Sequence, residues 1–119
     1  MSEHGKRVWF FPDGDLPAPG DDALKGHESL VLLNPNHADA EVALTIYFTD
    51  QDPVVLVAGS IGAERVRCIR TDEPIDGFQI PLGQYAIKVE STVGLIAQIG
   101  RMDVTQPNLA YYTTMGFGT

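Results

Sequence analysis

Three observations predict an all-β fold. Apolar residues alternate with a period of two in several segments, turn residues punctuate the chain between them, and no stretch sustains a helical period. Together they indicate one all-β sandwich or barrel domain over residues 1–119, with no internal repeat, low-complexity tract or linker.

The strands rest on different patterns. Residues 29–33, Ser-Leu-Val-Leu-Leu, form a continuous apolar run, which predicts a strand buried on both faces. In 41–48, Val42, Leu44, Ile46 and Phe48 point one way and Glu41, Ala43, Thr45 and Tyr47 the other. Arg65-Val66-Arg67-Cys68 repeats the alternation briefly and predicts Val66 and Cys68 facing inward, with an inert thiol. In 85–90, Tyr85, Ile87 and Val89 share a face opposite Ala86, Lys88 and Glu90. Residues 93–99 read as a further strand, and Gly94 and Gly100 mark bulges or close backbone approach. Asn34-Pro35-Asn36 and Asp50-Gln51-Asp52-Pro53 are turns, and 72–77 is a longer loop. Segment 12–27 is long, acidic and rich in glycine and proline. It is expected to be either a mobile functional loop or a surface connection ordered by its prolines.

Composition narrows the function classes. A chain of 119 residues suits one domain, and 44% hydrophobic against 20% charged residues excludes a disordered one. A single cysteine, Cys68, excludes an internal disulfide and a cysteine-cluster zinc site. No apolar run approaches the ~20 residues that span a bilayer, and the first residues lack the apolar core of a signal peptide. We therefore expect a cytoplasmic protein. The net charge of −8 disfavours nucleic acid, because phosphate binding depends on lysine and arginine. Residues 1–60 carry ten acids and three bases, a net of −7, whereas 61–119 carry six and five, a net of −1. Arg65, Arg67 and Arg70 in the second half form either a solvated strand face or a site for a small anion.

Catalytic and metal signatures are missing. Asp13-Gly14-Asp15 and Asp21-Asp22 lack the ligand spacing of a calcium loop, and His4, His27 and His37 lack metal-ligand spacing. There is no Gly-x-Ser-x-Gly, Walker loop, His-Glu-x-x-His or Gly-x-Gly-x-x-Gly. No catalytic residue, metal or cofactor is expected.

An ordered set of residues carries a family resemblance. Trp9 precedes the 12–27 segment and His27-Glu28 closes it. Leu33-Asn34, Thr45-Ile46-Tyr47-Phe48, Thr49-Asp50-Gln51-Asp52-Pro53, Arg67 and Arg101-Met102-Asp103 follow. In this order, from about Val8 to Thr114, the chain resembles the sensory rhodopsin transducer family. The resemblance implies a jelly-roll-like antiparallel β-sandwich assembling as a homotetramer. It also implies a non-enzymatic role in sensing or signal transfer. The implied partner is a polar small molecule, such as a sugar, or a protein, such as a membrane photoreceptor or another sensor. One departure stands out: the family has a polar pair before the final Arg-x-Asp, where this chain has Ile99 and Gly100.

The candidate ligand-binding residues are Trp9, His27, Glu28, Tyr47, Arg101 and Asp103. Trp9 and Tyr47 offer flat apolar faces for a ring, unless Trp9 is a core anchor and Tyr47 meets a neighbouring subunit. His27 and Glu28 are adjacent, so a strand sends them to opposite faces. Arg101 and Asp103 share a face, where a carboxylate can hold a guanidinium fork for an incoming group, or form a plain ion pair. Two other readings remain: a carbohydrate-binding accessory protein, and a small enzyme with Glu28 or Asp103 as base and Arg101 as electrophile.

Overall fold

The computed structural model describes residues 2–21, 23–104 and 110–119, so Asp22 of the acidic Asp21-Asp22 pair lies outside the described residues. Eight strands form: β1 (Lys6–Leu16), β2 (His27–Asn34), β3 (Ala40–Tyr47), β4 (Val54–Ile61), β5 (Arg65–Arg70), β6 (Gly83–Asp103), β7 (Ala110–Met115) and β8 (Phe117–Gly118). The two alternating segments 85–90 and 93–99 are one strand, β6, of 21 residues. That strand organises the fold. Its first part pairs with β1 and β3, and its second with β2 and β7, all antiparallel. One layer therefore runs β4-β3-β6-β1-β8 and the other β5-β2-β6-β7, with β6 common to both. The chain is a single all-β domain, as its sequence predicts.

Period-two alternation fills the space between the layers. Val42, Leu44 and Ile46 of β3 face Ile87 and Val89 of β6 and Trp9 and Phe11 of β1, while Leu30 and Leu32 of β2 close the other side. Each such side chain contributes roughly 1.5–3 kcal/mol by leaving water. Phe48 ends its row half-buried, meeting Phe78 edge-to-face at 6.2 Å between centroids.

Two expectations about faces are corrected. Leu30 and Leu32 are fully buried, but Leu33 is 40% exposed, because it lies on the outer face of the second layer between its partners Val66 and Ile96, which are exposed as well. Val66 and Cys68 point outward and not into the core. Cross-strand partners share a face, and the register pairs Leu30 with Ile69 and Leu32 with Arg67, so β5 turns Ile69 and Arg67 inward. Segment 12–27 also divides: 12–16 continue β1, His27 opens β2, and the described residues between them form a connection closed by the Gly26 amide on the Pro19 carbonyl at 2.9 Å.

The Asn34-Pro35-Asn36 turn staples the N-terminal residues to the bend of β6. The Asn36 amide nitrogen donates to the carbonyls of His4 at 3.0 Å and Gly94 at 2.8 Å, and its oxygen accepts from the His4 amide at 2.8 Å. Gly94 lies against the His4 backbone with no room for a side chain, which is the close approach its position predicts. Replacing Asn36 by alanine strands these groups at a buried site. We expect Asn36→Ala to lower unfolding free energy by about 1–3 kcal/mol in urea titrations at unchanged slope; a loss under ~0.5 kcal/mol would mean that water replaces the staple.

Candidate functional site

A buried carboxylate anchors the site. Glu28 lies on β2, whose alternation sends it inward while its neighbour His27 stays half-exposed, and only 1% of Glu28 is accessible. The carboxylate accepts from the Tyr85 hydroxyl at 2.6 Å, the Arg101 Nε at 2.6 Å and the Asp15 backbone amide at 3.2 Å. Thr71 completes the shell: its hydroxyl oxygen is 3.0 Å from that of Tyr85 and 3.3 Å from the Glu28 carbonyl. A charge this deep is tolerated only when paired and hydrogen-bonded, and here it is both. Among the described residues, no buried side-chain nitrogen or oxygen lacks a partner.

The donors reach Glu28 because of two local features. The pairing of β1 with β6 shifts register between Phe11 and Gly14, so a bulge at Pro12-Asp13 turns the Asp13 carbonyl toward Arg101. Arg101 Nη2 donates to that carbonyl at 2.9 Å. At Gly14 any Cβ would collide with the Tyr85 ring, so glycine is what lets the phenol lie across β1. The third nitrogen, Nη1, donates to the Tyr112 hydroxyl at 2.7 Å, with the guanidinium 5.5 Å from the Tyr112 ring centre. Burial pulls the Arg101 pKa down, but the bond to Glu28 and its charge, with help from Tyr112, hold it above the ordinary arginine value. Arg101 is therefore a fixed cation.

Above this floor opens a cleft of about 380 Å³. Phe11, Pro12, Ile99 and Met115 supply its apolar lining, and Asp13, Glu28, Arg101, Tyr112 and Thr114 its polar groups. A few polar groups converging in an apolar concavity are what a small-molecule site needs. Ile99 forms part of the wall.

The structure brings two of the six candidate residues together: Glu28 and Arg101. Trp9 is 7% exposed and donates its indole N–H to the Lys6 and Leu95 carbonyls at 3.1 and 3.0 Å, within the core. Tyr47 sits half-buried on the other layer, opposite Ala86. The His27 Nδ1 lies 2.8 Å from the Lys25 carbonyl, away from the cleft lining. Asp103 is half-buried at the end of β6, opposite Ala110. Arg70 is engaged by Asp72 through two bonds of 2.7 Å. Tyr85, Tyr112 and Thr114 were not foreseen. Tyr85 carried a signal: an inward tyrosine needs an acceptor for its hydroxyl, and an inward glutamate is a ready one. Among the described residues, no group of three or more His, Cys, Asp or Glu could hold a metal, and no helix is long and apolar enough to cross a membrane.

Comparison with known proteins agrees with the sequence resemblance. The family model described as Anabaena sensory rhodopsin transducer matches residues 4–118. The crystal structure of Thermotoga maritima 1070 superposes with a TM-score of 0.87 at 34% identity, over 97% of this chain and 96% of that one. The Anabaena sensory rhodopsin transducer itself superposes with a TM-score of 0.73 at 27% identity, over 82% of this chain and 89% of that one. No curated protein matches the sequence.

Tyr85 gives the site a testable pH dependence. Burial raises its pKa, and the charge and hydrogen bond of Glu28 raise it further. The folded value thus exceeds the ~10 of an unfolded tyrosine. The contribution is whole below pH ~10; above it the unfolded chain sheds the proton first, and stability falls as pH rises. Tyr85→Phe should cost about 1.5–3 kcal/mol at pH 7, because Glu28 loses a donor. Between pH 10 and 12 the wild type should then lose stability faster than the variant, by up to ~1.4 kcal/mol per pH unit. Parallel losses in denaturant titrations would contradict the assignment.

Proposed function

The chain belongs to the Anabaena sensory rhodopsin transducer family, a non-catalytic transducer domain, and from that premise we propose that it senses a small polar molecule in the cytoplasm and passes the signal to a partner protein. The observation that carries this reading is the cleft with Arg101 at its floor. A bound molecule would lay an apolar face on Phe11, Ile99 and Met115 and direct its oxygens to Arg101, Tyr112 and Thr114. Because Glu28 neutralises Arg101, the site favours hydroxyl or carbonyl oxygens over a strong anion. A sugar fits that chemistry, and the exposed Tyr112 ring offers the flat surface that sugars stack on, which supports the carbohydrate-binding variant of the reading.

Signalling would follow from differential binding. A ligand that prefers one arrangement of β7 against β1 shifts the population toward it, and the partner reads that arrangement. The proposal includes a homotetramer of jelly-roll-like protomers. A sensor protein, such as a membrane photoreceptor, is the proposed partner by analogy with the relative named a sensory rhodopsin transducer.

A thermal-shift screen with hexoses, hexose phosphates and other polar metabolites tests the cleft. A ligand at 100 times its Kd stabilises by about 2.7 kcal/mol and should raise Tm by several degrees. Tyr112→Ala, which removes the exposed ring together with its hydroxyl, should keep the fold and lose most of that shift. An undiminished shift in the variant, or no shift with any compound, would contradict the proposal.

A further inference from the structure

The two layers part again at the edge far from the cleft, between β4 and β5, which no ladder joins among the described residues. Two polar bridges of opposite charge span this second opening. A bulge in β4 makes the first possible. The register against β3 pairs Gly59 with Val42 and Val57 with Ala43, which leaves Ala58 as the extra residue. Gly59 takes φ 100°, and Arg67 Nη1 lies 3.3 Å from where its Cβ would stand, so glycine leaves room for the cation. From there Arg67 Nη1 donates to the Ser60 carbonyl at 3.4 Å. The loop after β5 makes the second bridge. Asp76 and Gly77, at φ 50° and 75°, turn a hairpin closed by mutual bonds between Ile75 and Phe78. That turn aims the Asp76 carboxylate at the Val57 amide, which it accepts at 2.9 Å.

Between the bridges lies a cavity of about 250 Å³, below the ~300–1,000 Å³ of pockets that take drug-sized molecules. Its charges are separated. Arg67 holds one end, and among the described residues the long contact to Ser60 is its one hydrogen bond, so most of its donors are unspent. At the other end Asp72 already engages Arg70 through two bonds of 2.7 Å. The bond to Asp72 chiefly raises the Arg70 pKa and the charge of Glu73 adds to it, which places Glu73 at the same end. Three carboxylates, Asp72, Glu73 and Asp76, thus stand there against one cation, a net of −2. On β4 the two bridges start at Val57 and Ser60, roughly 10 Å apart along a strand, a span that one small molecule can cover.

We propose that this cavity binds a free amino acid, its carboxylate on Arg67, its ammonium on Glu73 and Asp76, and a small side chain against Val57 and Ile75. A simple anion would meet Glu73 and Asp76, and a simple cation would meet Arg67. A molecule that carries both charges satisfies both ends. The guanidinium fork on a carboxylate is also the strongest contact arginine makes. This site shares no lining residue with the cleft at Arg101, so it stands apart from the sensing proposal.

Calorimetric titration with L-alanine and L-serine tests the site, beside propionate and ethylamine, which each lack one of the two charges. At least one of the amino acids should bind saturably, and propionate and ethylamine about ten-fold more weakly or worse. Arg67→Gln and the exposed Glu73→Gln should each weaken that binding about ten-fold with the β spectrum unchanged, whereas Tyr112→Ala should leave it as it is. If Arg67→Gln does not fold, Glu73→Gln alone decides. No saturable heat with either amino acid would overturn the proposal. Propionate or ethylamine binding as tightly would overturn it in favour of a plain ion site. Binding that survives in the glutamine variants but is lost in Tyr112→Ala would overturn it by putting the amino acid in the cleft.

Discussion

A carboxylate that is 1% exposed must be satisfied completely, and much of this structure follows from how Glu28 is satisfied. Its donors come from both layers. Tyr85 lies in the part of β6 that pairs with β1 and β3, Arg101 in the part that pairs with β2, and Asp15 on β1. Glu28 itself is on β2. One side chain therefore ties the layers together across the opening between β1 and β2, where among the described residues no backbone ladder joins them.

The same tie shapes the cleft. With Nε committed to Glu28, the remaining guanidinium nitrogens swing toward the Asp13 carbonyl and the Tyr112 hydroxyl, one on each side. The bulge in β1 and the edge strand β7 are thereby linked through a single cation. Under the proposed function, a molecule entering the cleft would touch the group that spans both walls, a physical route from ligand binding to strand position. The shared strand β6 extends that route, since its two halves carry the two side-chain donors, Tyr85 and Arg101.

The fold was legible because period-two alternation states which residues face inward, and 41–48 and 85–90 state it without ambiguity. Faces failed at Leu33, in a run apolar on both sides, and at Val66 and Cys68, in an alternation of only four residues: all three are outward because the pairing register decides, and register is a long-range property. Of the site, Glu28 and Arg101 were legible as polar residues in strand positions, 73 residues apart yet paired. Tyr112 and Thr114 were not, since a strand of uncharged residues near the chain end carries no marker of what it will face. Trp9 is the core anchor that a lone tryptophan in a small domain is expected to be.

The central claim is that Glu28 and Arg101 form one energetic unit on which the cleft is built. A double-mutant cycle with Glu28→Gln, Arg101→Met and the pair of substitutions, read by urea unfolding, measures it directly. Arg101→Met leaves the buried Glu28 carboxylate without its cation and should cost about 3–5 kcal/mol. Glu28→Gln leaves the part-exposed Arg101 without its anion and should cost less. The double variant should cost clearly less than their sum, by more than ~1.5 kcal/mol. Additive losses, within ~0.5 kcal/mol, would contradict the account.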